Sequence, residues 1–209
     1  FSSIDQQGRY SFLNQPKIVK WNIARFAECI ITFIDNDKDK AVEIATETIN
    51  TFEDIYQKKW LNMMRDKLGL FGEDINDQAL IMDLLTWMHK NKADYTNTFC
   101  YLMGEKFAFD EKYNNKDFLI WKKKWDYRLK LNNNTQEKYL KLMHTTNPLV
   151  IPRNHKVEEA LEAANSDNIH PMQKLIQILE DPYTKHKDID EYQLPNFDKE
   201  KKYQTFCGT

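Results

Sequence analysis

With 209 residues, 41% hydrophobic and 13% aromatic, the chain holds enough apolar side chain for a sizeable core, and its 30% charged content does not make it disordered. A formal net charge of −2 sets up no field that would gather nucleic acid or an anionic membrane, so neither is an expected partner. Five Gly and six Pro leave few turns and favour long helices, which makes an irregular, all-α multi-helix bundle the expected fold.

In chain order, residues 1–15 read as a loop in which Asp5, Gln6, Gln7, Arg9 and Tyr10 crowd around one permissive Gly8. Pro16 suits a first helical position, with Asn14 or Gln15 as cap, and Val19, Ile23, Phe26, Ile30 and Phe33 recur with helical period to Ile34. That stripe predicts a core face. The acids of Asp35-Asn36-Asp37-Lys38-Asp39 lack the Gly and the bidentate Glu of a calcium loop, since Lys40 and Thr46 stand at those positions, and read as a turn and cap. A long helix is predicted from Lys40 to Leu68, with Val42, Ala45, Ile49, Phe52, Tyr56, Trp60 and Met63 inward and Gly69 as its stop.

Further helices are predicted over Asp77 to Lys92, with Leu80, Ile81, Leu84, Leu85 and Met88 inward, and from Asp94 as cap to Gly104. Phe107 to Asn115 reads as a looped insertion, followed by the stripe Phe118, Trp121, Trp125 and Leu129. Asn132-Asn133-Asn134 is a linker, and an alternative two-domain division falls there. Thr135 to His144, Arg153 to Ala164 and a last segment opened by Pro171 complete the helices. One helical domain over 16–182 and an irregular tail over 183–209 follow.

Few residues stand out chemically. Lys122-Lys123-Lys124 between Trp121 and Trp125 reads as a solvated face, because helical spacing puts both indoles on one side and the lysines mainly on the other. None of His89, His144, His155, His170 and His186 has zinc-binding spacing, so no metal site is expected. Three cysteines are too few and scattered for a disulfide framework and point to a reducing compartment. Cys29 and Cys100 are expected to be buried small hydrophobes. The longest apolar run, Cys29 to Ile34, is far short of the roughly twenty residues that span a bilayer, so no membrane role is expected.

The segment Gly8-Arg9-Tyr10-Ser11-Phe12-Leu13-Asn14-Gln15-Pro16, with Trp21-Asn22 and Arg25-Phe26-Ala27 behind it, resembles the segment after the active site in the selenoprotein O family of pseudokinase-like protein adenylyltransferases. The likeness continues in order through Lys67-Leu68-Gly69-Leu70, Asp94-Tyr95-Thr96-Asn97-Thr98-Phe99, Asn147-Pro148, Arg153-Asn154, Asp181-Pro182-Tyr183 and Phe206-Cys207-Gly208-Thr209. It implies the helical C-terminal half of a kinase-like large lobe, belonging to an enzyme that uses ATP and Mg²⁺ to transfer AMP onto Ser, Thr or Tyr of protein substrates. It also implies that the nucleotide-binding, metal-binding and catalytic residues lie upstream, so that no catalytic residue and no cofactor is expected within this chain. The chain opens at Phe1 without a Met or a signal-like segment and is expected to be a truncated or processed piece, inactive alone, with a surface open to homodimerisation. The expected location is cytoplasmic, or mitochondrial in a eukaryote.

By the same resemblance 1–15 is the end of an activation segment, which places Asp5, Arg9, Tyr10 and Gln15 near the active site. Arg9 is the first choice among them, since its planar fork suits a phosphate or a carboxylate; a purely loop-tethering role for Arg9 and Asp5 stands beside that. Asp94 and Tyr95, with Arg153 and Asn154, read first as a helix cap and interhelical hydrogen bonds. Cys207 takes a redox role by resemblance, although the ending departs from the usual Ser-Cys-Ser-Ser and offers no neighbouring cysteine. The rival reading is a free-standing helical interaction module docking a partner through Trp121, Trp125 or Phe197.

Overall fold

The computed structural model describes residues 5, 7–9, 11–105, 110–131, 135–185, 187 and 189–196. Tyr10, Asn132 to Asn134, His186, Phe197 and Cys207 lie outside them. The described residues contain helices and no strand: a 3-10 turn at Phe12–Asn14, then α1 (Gln15–Ile34), α2 (Lys38–Lys67), α3 (Asp77–Lys90), α4 (Tyr95–Leu102), a second 3-10 turn at Asp110–Asn114, α5 (Lys116–Lys130), α6 (Gln136–Thr146), α7 (Asn154–Asn165), α8 (His170–Glu180) and α9 (Ile189–Gln193). The expected all-α fold is present. Two compact units divide within α2, after Trp60, and not at Asn132 to Asn134.

In the first unit, Pro16 occupies the first turn of α1, where its missing amide hydrogen costs nothing. Asp35 and Asp37 form the turn ahead of α2 as expected: the Asp35 carboxylate accepts from Asp37 N at 2.9 Å, and Asp37 accepts from Asp39 N at 2.9 Å. Side chains of α1 and α2 line one cleft, Ala24, Ala27 and Ile31 from α1 with Val42, Ala45 and Ile49 from α2. The predicted core stripe of α1 is not buried. No residue of that helix is, and Val19, Ile23, Phe26 and Phe33 are exposed. The face that α1 turns toward the cleft lies one residue, about 100°, round the helix from that stripe. Along α2 the buried apolar positions are Ala41, Ala45 and Met64, whereas Val42 and Met63 are exposed.

The second unit, from Leu61 onward, holds the packed core. Gly69 terminates α2 in the left-handed region at φ +69°, with Leu70 N donating to Arg65 O at 2.9 Å. A Cβ there would stand 3.0 Å from Met143 Cγ and 3.1 Å from Tyr139 O, so space as well as φ selects glycine. The stripe Phe118, Trp121, Trp125 and Leu129 of α5 is buried as predicted, against Leu80, Ile81 and Leu84 of α3. Both indoles satisfy their N–H groups on carbonyls, Trp121 on Leu80 O at 2.8 Å and Trp125 on Leu68 O at 2.9 Å. In the 3-10 turn, within what reads from sequence as a loop, Tyr113 is wholly buried and stacks on Tyr101 at 4.0 Å between centroids. Helices α7 and α8 pair around Ala160, Leu175 and Ile178. Inside the stretch expected to be an irregular tail, α9 buries Ile189 and Gln193.

Candidate functional site

Asp5 and Arg9, two of the residues singled out in the sequence, meet in one turn. Gly8 N donates to Asp5 O at 3.3 Å, and Arg9 N donates to the Asp5 carboxylate at 2.9 Å. Gly8 takes φ +65°, a conformation that glycine adopts without strain, and its carbonyl accepts from Asn14 Nδ2 at 2.8 Å. The turn is therefore closed by main-chain atoms and by the side chains of Asp5 and Asn14. Gln15 is exposed at the start of α1, and its N–H donates to Phe12 O. Tyr10 lies outside the described residues.

The Arg9 side chain meets an aromatic ring. Its guanidinium carbon lies 4.6 Å from the centroid of Trp21, and the Arg25 guanidinium lies 5.5 Å from the same ring. Arg25 also pairs with Glu28 at 2.6 Å. An indole face attracts cations through its quadrupole, so Trp21 holds two guanidiniums at one edge of the unit. Sequence reasoning missed Trp21 and Arg25 as partners of Arg9. Their i, i+4 spacing on a helix that follows the loop directly was the signal available.

The other motif positions build interior. Asp94 caps α4 by accepting from Asn97 N at 2.9 Å, and Arg153 forks onto the Asp94 carboxylate, with the second contact at 3.0 Å. Arg153 and the buried Asn97 side chain both donate to the carbonyl of Gln193, at 3.0 and 2.9 Å, while Gln193 Nε2 donates to Leu149 O at 2.9 Å. Helices α4, α7 and α9 are thereby tied at one polar centre. A second buried centre joins Asp77 at the start of α3 to Arg65 at 2.7 Å and to Arg128 at 2.6 Å. Burial pushes the Asp77 carboxyl up, but hydrogen bonds from Arg128, Arg65 and Asp74 N outweigh it and hold the group below its ordinary value. Both carboxylates are consumed by their partners, which is the arrangement of structural ion pairs.

Burial raises the Cys100 thiol to about 12, so it stays protonated and inert, as expected for a buried cysteine. Cys29 departs from that expectation: it is exposed, with Sγ 3.4 Å from Arg25 O. Trp121 and Trp125 are each 3% exposed, which removes two of the three aromatics that a docking module needed; Phe197 and the redox candidate Cys207 lie outside the described residues. Lys122 pairs with Asp126 and Lys124 with Asp83, as a solvated face would. No helix among the described residues is long and apolar enough to cross a membrane.

The profile of the family described as protein adenylyltransferase SelO matches residues 2–180. The chain is 54% identical over 209 residues to a protein nucleotidyltransferase YdiU of Pelagibacter ubique and 47% identical over 210 residues to that of Alcanivorax borkumensis. It is 44% identical over 209 residues to that of Clostridium beijerinckii. Each alignment covers 100% of this chain and 43% of the relative, so the chain spans less than half the length of the curated relatives it matches.

Proposed function

Because the chain belongs to the SelO family of protein adenylyltransferases, we propose that it is the helical C-terminal portion of an enzyme transferring AMP from ATP onto Ser, Thr or Tyr hydroxyls of protein substrates. The observation that carries this reading is the family match over residues 2–180, joined to identity that runs the full length of the chain. Among the described residues there is no group of three or more His, Cys, Asp or Glu side chains that could hold a metal ion. On this reading nucleotide and metal belong to the part of the longer polypeptide outside these residues.

What this chain supplies on that reading is a scaffold and one cation. Nucleotidyl transfer depends on positioning and on positive charge where phosphate oxygens gain negative charge. Arg9 has the suitable group, a planar fork backed by the Trp21 ring at 4.6 Å. Its role is to hold a phosphate or a carboxylate of the catalytic centre. Labelled ATP tests the division of labour: AMP transfer is expected from the longer polypeptide and none from residues 1–209 alone. Transfer by residues 1–209 would overturn the assignment, and its absence from the longer polypeptide would overturn the enzymatic reading.

A further inference from the structure

Helix α1 carries two apolar faces. One, through Ala24, Ala27 and Ile31, looks into the cleft shared with α2. The other is formed by Val19, Ile23, Phe26, Ile30 and Phe33, whose directions fall within about 40° of a common line at 100° per residue and extend along about 21 Å of helix. Phe26 is 63% exposed and Phe33 87%. The charged residues of α1, Lys17, Lys20, Arg25 and Glu28, all point about 100° or more away from that line, so no charge interrupts the stripe, and Asn22 flanks it about 60° from the line. A mostly exposed apolar stripe of this kind, with only Ile30 half-buried, marks a contact surface.

We infer that this stripe is the seat of the upstream part of the same polypeptide, an assignment that rests on the enzymatic reading above. Each relative is matched over 43% of its length, so more than half of such a polypeptide lies outside these residues. Helix α1 comes first among the helices of this chain and directly follows the loop that the reading joins to the upstream part. A partner tethered through so short a connection is present at a far higher effective concentration than a free second copy, and it wins the face. The partner surface must itself be apolar and uncharged opposite Phe26, since a charge pressed against the stripe would lose its hydration without compensation.

The test is Phe26→Ala, made both in the longer polypeptide and in residues 1–209, with Ile75→Ala as the control at a residue 96% exposed in the other unit. In the longer polypeptide Phe26→Ala is expected to lower the thermal midpoint by more than about 4 °C and the control by less than about 1 °C, with the mass by light scattering unchanged. In residues 1–209 neither substitution is expected to move the midpoint by more than about 1 °C. If Phe26→Ala leaves the longer polypeptide insoluble, protection of Val19 to Phe33 amides from exchange in the unsubstituted protein, against their protection in residues 1–209, gives the same answer. An indifferent midpoint in the longer polypeptide overturns this inference and leaves the enzymatic reading standing. A fall in midpoint with a halved mass puts a second copy on the face, a fall in residues 1–209 puts the cover within this chain, and either overturns it. A natural reading frame with no upstream region overturns both.

Discussion

Arg9 and Asp77 show the two uses to which this chain puts a guanidinium–carboxylate neighbourhood. At Arg9 the main-chain N–H, not the side chain, makes the hydrogen bond to Asp5 at 2.9 Å. Arg9→Ala in the longer polypeptide keeps that main-chain bond, and AMP transfer is expected to fall roughly 10- to 100-fold, the worth of a hydrogen bond to a charged group. Unchanged transfer would reduce Arg9 to a surface residue. Asp77 is the opposite case, wholly enclosed between Arg65 of α2 and Arg128 of α5. Asp77→Asn leaves the buried Arg128 without its carboxylate and Arg65 with only Glu73 at 3.4 Å, and is expected to cost about 3–5 kcal/mol in denaturant unfolding. The folded carboxyl titrates below its unfolded value. Its contribution is thus fully present above the unfolded carboxyl pKa and is lost as pH falls through the lower, folded one. Unfolding measured from neutral pH into the acid range should show a loss of stability in the wild type that Asp77→Asn flattens.

At the scale of the element, periodicity identified where helices lie far better than what covers them. Pro16 and the five-residue stripe located α1 almost to the residue, and the stripe of α5 is buried at all four predicted positions. The two stripes look alike in sequence, yet among the described residues only that of α5 is buried. An apolar face records that something packs there, and the partner is a tertiary fact. Amide exchange in residues 1–209 should expose the difference, with α1 amides exchanging much faster than those of α5; equal protection would contradict the exposure of α1. Helix α9 escaped notice for another reason. It is five residues long, too short to show a period, and its order comes from Gln193, whose carbonyl and amide reach Asn97 and Leu149 across 96 and 44 positions of sequence. The Arg153–Asp94 pair was legible as motif and cap, whereas the convergence on Gln193 was not. No local pattern encodes a contact at that separation.

At the scale of the whole molecule, burial is unevenly shared. Up to Trp60 only Ala41 and Ala45 are buried among the described residues, whereas Leu61 onward carries the aromatic core and both buried ionic centres. The first unit therefore has little interior of its own among the described residues. The same unevenness sorts the tryptophans. Trp87, Trp121 and Trp125 are buried and Trp60 is half-buried, while Trp21 is 47% exposed beneath Arg9. A collisional quencher in solution therefore reaches Trp21 first, and that indole is the one touched by the loop. The chain carries its own optical gauge: the quenchable, red-shifted fraction of its fluorescence reports whether Arg9 is resting on the ring or has moved off it.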